Sequence, residues 1–108
     1  MRYRVRINPA ALADAEEYVS FIRDQKLEPL AAARWYDRLT EAILSLDTMP
    51  RRCPVILEQN SFKVELRNHY YHSHRIIFHI DEEVRTVHVL RIYHGARGAF
   101  DYDHVKGS

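Results

Sequence analysis

The sequence predicts an α+β fold ordered β-α-α-β-β-β, with a helical hairpin packed on one face of a mainly antiparallel sheet of three to four strands. Two observations predict it. Apolar residues in the first half follow one short period-2 segment and then helical spacing, and the second half returns to period-2 alternation. The 108 residues, 46% hydrophobic, also suffice for one core. We therefore expect a single domain over 1–108, with its core at about 3–98 and a tail at 99–108.

The first strand and first helix are predicted close to the N-terminus. Apolar residues and arginines alternate over 2–7, which indicates a strand with one buried and one basic face. Asn8 and Pro9 then predict a helix start, because asparagine caps free N–H groups and proline lacks the donor that would be free there. Apolar residues at helical spacing extend this helix to about Arg23.

The second helix is predicted from Pro29 to just before Pro50, with Trp35 as a packing anchor. A short loop between the helices makes them an antiparallel hairpin. The remaining apolar runs predict an edge strand at 55–57 and further strands at 62–67, 75–80 and 84–93. We expect residues 69–74 to form a loop and the acidic residues 81–83 to form a tight turn.

Composition excludes several protein classes. The N-terminus has no apolar stretch of the kind that signal peptides carry, and Cys53 is the single cysteine, so we expect a cytoplasmic protein without disulfides. No segment approaches the roughly 18 apolar residues that cross a bilayer. The net charge of +1 does not by itself indicate a nucleic-acid binder, although all seven histidines lie in the second half.

Strand parity predicts a basic face on the sheet. Arg67, Arg75 and Arg91 are expected to point away from the helices on three strands, where guanidinium groups would pair with phosphate oxygens. The alternative is that these arginines are solvated or paired with Glu58 and Glu65. The residues predicted to bind a target on this face are Lys63, Arg67, Arg75, His79, Arg91, Tyr93 and Arg97.

A face of this kind has the groups for metal-free RNA cleavage. The reaction needs a base, an acid and a cation near the phosphorane oxygens. His94, Tyr93 and Glu58 are candidates for proton transfer, although His94 is equally readable as a surface side chain. The histidines of 69–74 match no zinc motif, and Cys53 has no matching triad, so we expect neither a metal nor another cofactor.

Several segments together resemble the toxins of the RelE/ParE superfamily, which belong to type II toxin-antitoxin systems. These segments are "NPAALADAEE", "ARWYDRLTEAILSLDTMP", "FKVELRNHYYHSHRIIFHI" and "VHVLRIYHGAR", and the likeness covers about residues 3–98. It implies a small α+β toxin held inactive by a cognate antitoxin. RelE-like members cleave mRNA on the ribosome, whereas ParE-like members share the scaffold and poison DNA gyrase.

The resemblance also implies roles for individual residues. Arg67 matches the arginine of an "LR" element, Arg75 precedes the central strand, and Arg91, His94 and Arg97 match an "R..H..R" ending. In a RelE-like enzyme Arg67, Arg75 and His94 would be catalytic.

The branch favoured within the superfamily is the ParE-like one. Only Lys63 corresponds to the lysines of RelE, the net charge is low, and "LRIYHGAR" is closer to ParE-like sequences. We therefore expect an inhibitor of DNA gyrase. The alternatives are an endoribonuclease acting with the ribosome on mRNA, and a non-toxic peptide-binding module. The sequence is compatible with a homodimer, and no membrane partner is expected.

Overall fold

The computed structural model describes residues 2–100 and confirms the predicted α+β fold with its order β-α-α-β-β-β. The helices are α1 (Pro9–Ser20) and α2 (Pro29–Leu44). The strands are β1 (Arg4–Ile7), β2 (Arg67–Tyr71), β3 (His74–Asp81) and β4 (Thr86–His94).

The four strands form one mixed sheet in the order β1-β4-β3-β2. Strands β2, β3 and β4 are antiparallel neighbours, and β1 runs parallel to β4. A parallel pair needs a crossover connection. The two helices lie in the long connection between β1 and β4, and they pack on one face of the sheet.

The helices begin at their prolines, as predicted, with Pro9 and Pro29 in the first turn. Asn8 occupies the N-cap position, but its side chain makes no capping hydrogen bond. Helix α1 continues into a π-helical turn at Phe21–Gln25. Within residues 2–100, neither helix is long and apolar enough to cross a bilayer.

Two groups of buried side chains cover opposite faces of the sheet. The main core lies between the helices and the sheet, and includes Ala15, Leu39, Ile76, Phe78 and Val89. A smaller group on the other face, here called the outer core, contains Ile56, Leu66, Ile77, Tyr93 and Phe100, with Phe62 and Leu90 packed against it. The face expected to be open is therefore partly covered.

The strand predicted at 62–67 is wrong, and so is the loop predicted at 69–74. The Gln59 side chain donates to the Val64 carbonyl and accepts from the Leu66 N–H, at 2.7 Å each, so this segment folds into a compact loop. Strand β2 begins only at Arg67. The expected edge strand at 55–57 is reduced to one isolated bridge between Val55 and Arg67.

A β-bulge shifts side-chain parity in β4. Ile77 pairs with Arg91 but Phe78 pairs with Val89, which leaves Leu90 as the extra residue. Val89 therefore lies in the main core and Leu90 packs on the outer core. Strict alternation along β4 predicts that Leu90 and Ile92 both face the helices. This is wrong for Leu90, because an alternating pattern does not show where one residue is inserted.

Candidate functional site

The three arginines predicted to converge on the sheet each bind a different part of the protein. Arg67 turns to the loop after α2, where its Nη1 donates to the Cys53 carbonyl at 2.7 Å and to the Arg51 carbonyl at 3.3 Å. Its Nε donates to the Glu65 carboxylate at 3.1 Å. Register places Arg67 beside Phe78, a main-core residue, so its side chain begins on the helix side of the sheet.

Arg75 forms the second of these contacts, on the outer-core side. Its Nη1 and Nη2 donate to the Glu58 carboxylate at 2.9 and 3.0 Å, and Nη2 also donates to Asn68 Oδ1 at 2.9 Å. The Phe100 N–H donates to the same carboxylate at 2.8 Å. These hydrogen bonds from Arg75, then from Phe100, lower the pKa of Glu58 to about 2 although burial opposes them.

Arg91 forms the third contact, with helix α1. Its Nε and Nη2 donate to the two Asp14 oxygens at 2.7 Å each, and the Ile92 N–H donates to Asp14 Oδ2 at 3.0 Å. The hydrogen bonds that Arg91 donates to Asp14 raise the pKa of Arg91 further. Convergence of Arg67, Arg75 and Arg91 on one open face is therefore wrong, because internal acceptors hold each guanidinium in a different place.

The other residues of the predicted face are dispersed as well. Lys63 is exposed on the compact loop. His79 is half-buried, and its Nδ1–H donates to the Glu65 carbonyl at 3.1 Å. Tyr93 is buried in the outer core, where its hydroxyl donates to the Ala99 carbonyl at 3.1 Å. The predicted site residues that share one cavity are His94 and Arg97.

That cavity, here called the histidine cleft, lies between α1 and the ends of β3 and β4 and has a volume of about 390 Å³. Its apolar surface comes from Phe21 and Ile92, and its polar lining residues are Asp14, Glu17, Tyr18, His74, His94 and Arg97. Arg97 lies 3.9 Å from the Glu17 carboxylate, so positive and negative groups face each other across the opening.

Aromatic rings pack closely beside this cleft. The rings of His74 and His94 meet edge to face with centroids 4.6 Å apart, and Tyr18 lies 4.4 Å from His74. Trp35 packs against both rings, with its centroid 5.3 Å from His74 and 4.8 Å from Tyr18. Burial, reinforced by the positive charge that His94 carries when protonated, lowers the pKa of His74 to about 4.

His94 has one ring nitrogen fixed by the backbone. Its Nδ1 accepts the Ala96 N–H at 2.9 Å. A neutral imidazole that accepts at Nδ1 carries its proton on Nε2. The nitrogen that remains is therefore a donor rather than a base, which makes the cleft better suited to binding a polar or aromatic group than to abstracting a proton.

Sequence reasoning missed Asp14, Tyr18 and His74 as parts of this site. Asp14 and Tyr18 stand one helical turn apart on α1, which would place them on one face. Nothing in the sequence shows that this face meets β4. Among residues 2–100, no cluster of histidine, cysteine and carboxylate side chains has an arrangement that could hold a metal ion. Burial raises the pKa of Cys53, which disfavours its nucleophilic thiolate form.

Comparisons with known proteins identify what the chain is similar to. The family model described as "ParE toxin of type II toxin-antitoxin system, parDE" matches residues 5–98. A search of curated proteins gave no significant match.

Two solved structures share the fold. One is described as the chromosomal ParDE TA system from P. aeruginosa, at 14% identity and a TM-score of 0.71, covering 86% of this chain and 96% of that one. The other is the toxin-antitoxin complex RelBE2 from Mycobacterium tuberculosis, at 25% identity and a TM-score of 0.58, covering 87% of this chain and 99% of that one.

Proposed function

Because this chain belongs to the ParE toxin family of type II toxin-antitoxin systems, we propose that it arrests growth by inhibiting DNA gyrase. A cognate antitoxin would hold it inactive. Both structural neighbours described above come from toxin-antitoxin systems, which supports such a partner.

The observation that carries the choice of gyrase over RNA is the internal pairing of the sheet arginines. RNA cleavage needs cations free to stabilise the phosphorane oxygens. Arg75 and Arg91 are each paired with a carboxylate, and their side chains are only 12% and 13% exposed. Breaking such a buried pair costs about 3–5 kcal/mol. A toxin that binds its target without cutting it needs no such rearrangement.

The candidate proton-transfer groups also favour gyrase inhibition over RNA cleavage. Glu58 is held ionised by Arg75, Tyr93 is buried, and the remaining nitrogen of His94 is a donor. None of the three offers a free base to a ribose hydroxyl. Of the residues predicted to contact a target, Lys63 and Arg97 are exposed, and we propose these two as contacts.

The test is a supercoiling assay with purified gyrase, relaxed plasmid and increasing toxin. We expect inhibited supercoiling and trapped double-strand cleavage complexes, both abolished when the cognate antitoxin is added. Undisturbed supercoiling at a large molar excess of toxin would overturn the proposal. Lys63→Ala with Arg97→Ala should raise the toxin concentration needed, whereas Lys26→Ala, which changes an exposed lysine just after the π-helical turn, should not.

A second candidate function is ribosome-dependent mRNA cleavage, in which Arg67, Arg75 and His94 would be catalytic. It is favoured by one observation, the meeting of His94, His74 and Arg97 in a single cleft. Primer extension on mRNA from expressing cells would then show new breaks that disappear with His94→Ala. An unchanged transcript map would exclude this activity.

The third alternative, a non-toxic peptide-binding module, is separated from both by growth. A chain without toxin activity would leave cell growth normal when expressed without an antitoxin. Arrest of growth would exclude it.

A further inference from the structure

A second basic surface exists on the sheet, away from the arginines that the sequence singled out. Arg6 of β1 pairs in register with His88 of β4, and His88 pairs with His79 of β3. Side chains directly paired across strands lie on the same face. Their neighbours Val5, Val87 and Ile80 pack on the main core, so these three side chains point away from the helices.

Arg4 extends this surface along β1, on the same side as Arg6 because the two are two residues apart. We name these four residues, Arg4, Arg6, His79 and His88, the arginine-histidine face. The outer core covers the opposite end of this side of the sheet, around Ile77 and Tyr93. The compact loop reaches this face at His79, whose Nδ1–H donates to the Glu65 carbonyl, whereas Arg4 and Arg6 on β1 are exposed.

The two arginines of this face differ from the paired arginines described above. Arg4 and Arg6 are exposed, and within residues 2–100 neither forms an ion pair. The carboxylate nearest in register is Asp81, two strands away from Arg4 across Thr86, and it accepts the Glu83 N–H at 3.1 Å. Their guanidinium groups are thus available to an external anion.

The composition of the face favours one class of partner. Protein interfaces depend on buried apolar and aromatic anchors, and single-stranded nucleic acids are held by stacking on aromatic rings. The arginine-histidine face offers guanidinium and imidazole groups on a flat sheet, with no phenyl, phenol or indole ring among its four residues. Backbone phosphates of a duplex are bound through charge and hydrogen bonds, without apolar burial.

The spacing of the cations fits a duplex as well. Side chains two residues apart on a strand are separated by about 6.6 Å, and the row from Arg6 to His79 spans two strand spacings, about 9.6 Å. Phosphates of one DNA strand recur about every 3.4 Å along the helix axis. Arg4 and Arg6 can therefore meet two phosphates of the same strand while the histidines extend the contact sideways.

We propose that the arginine-histidine face binds the phosphate backbone of duplex DNA. The inference deepens the proposed function, on which it rests for its biological setting, because the proposed target, gyrase, acts on duplex DNA. The binding itself is a property of this chain and can be measured without gyrase.

The test is fluorescence anisotropy of a labelled 20-base-pair DNA at low salt, with the full chain and with Arg4→Glu/Arg6→Glu. We expect the variant to bind at least about tenfold more weakly. The matched control is Arg34→Glu/Arg38→Glu, two exposed arginines of α2, which changes the net charge equally and should bind like the parent. Equal losses in both variants would overturn the proposal, because they would report net charge alone.

A milder variant guards against misfolding. Arg4→Gln/Arg6→Gln should keep the parent's circular dichroism spectrum and melting temperature, and should reduce the slope of log affinity against log salt by about 2, one per arginine. An unchanged slope would overturn the proposal. Tighter binding to a single-stranded RNA or to polyglutamate than to duplex DNA would also overturn it.

Failure of this inference and failure of the proposed function give different results. A chain that poisons gyrase but does not bind free DNA through Arg4 and Arg6 retains the proposed function and contradicts the inference. A chain that binds DNA through this face but leaves gyrase unaffected supports the inference and contradicts the proposed function.

Discussion

Buried ion pairs decide which arginine side chains of this protein can reach a partner. The side chains of Arg75 and Glu58 are 12% and 16% exposed and share two hydrogen bonds. Arg4 and Arg6 are exposed instead. The same residue type thus has two uses here, and the difference follows from whether a carboxylate lies within reach.

We predict that Glu58→Gln lowers the free energy of unfolding by about 3 kcal/mol, because the Arg75 guanidinium stays buried without its counter-charge. Urea denaturation at pH 7 measures this. The control is Glu65→Gln, whose partner Arg67 keeps two carbonyl acceptors and whose carboxylate is half exposed. It should cost less than about 1 kcal/mol. Equal costs would contradict a special role for the Glu58 pair.

A second prediction concerns His74, which is 3% exposed. Its pKa falls from 6.5 to about 4 in the folded chain, so the unfolded chain takes up a proton first as the pH drops. Stability should therefore decline between pH 6.5 and about 4, by an order of about 3 kcal/mol. Groups facing the ring are His94, Asp14 and Arg97.

His74→Phe tests this prediction because it keeps a ring beside Tyr18 and Trp35 but cannot titrate. Urea midpoints measured at pH 7, 5.5 and 4.5 should fall less steeply in the variant than in the parent. Parallel declines would mean that groups other than His74 set the acid sensitivity in this pH range. Glu58 affects stability at lower pH. Its stabilising contribution is complete above pH 4.5 and disappears as the pH falls toward about 2, the pKa of Glu58 in the folded chain.

Residue patterns could predict the membership of His94 and Arg97 in a site, because both follow a strand end rich in polar side chains. They could not predict Asp14, whose partner Arg91 lies 77 positions away. Pairing over such a separation depends on how α1 lies against β4, and helical periodicity only reports which residues share a face.

At the scale of elements, periodicity and proline placement gave both helices and three strands correctly. The strand prediction is wrong where side-chain hydrogen bonds replace backbone pairing between strands. Gln59 satisfies the backbone of the loop before β2, so Phe62 and Leu66 pack on the outer core without forming a strand. The bulge at Leu90 similarly reversed the expected parity.

The contact between α1 and β4 carries the third prediction. Beyond its pairing with β1, strand β4 has its Ile92 N–H satisfied by the Asp14 side chain. Asp14→Asn removes the charge that holds Arg91, so we expect a loss of about 2–4 kcal/mol and faster hydrogen exchange at the Ile92 amide. Exchange measured by NMR checks this. Glu17→Gln, on the same helix but exposed, should leave that amide unchanged.

Across the whole molecule, the sheet packs against the helices on one face and is partly covered by the outer core on the other, instead of leaving that second face open as the sequence suggested. Phe100 completes the outer core, 1% exposed and 5.6 Å from Phe62 and 5.0 Å from Tyr93 between ring centroids. The sequence analysis expects the core to end at about residue 98 and a tail to follow, so Phe100 is a core residue that it misses.

We predict that Phe100→Ala costs about 3–5 kcal/mol of stability, as for other fully buried aromatic residues. Calorimetric melting provides the measurement. Leu57→Ala is the control, because that side chain is 96% exposed on the neighbouring loop and should change the melting temperature little. A small effect at both positions would show that the outer core contributes little to the fold.

The parallel pairing of β1 with β4 has a consequence for synthesis. Arg4 meets Thr86 only after residue 86 has been translated, because β4 is the one strand of residues 2–100 that β1 pairs with. Closing so long a loop is slow compared with local folding. We therefore expect a nascent chain stalled before residue 86 to be harmless and protease-sensitive, which limited proteolysis of ribosome-bound chains would show. Protection at that stage would contradict it, whereas sensitivity would mean that the sheet is completed only once β4 has been made.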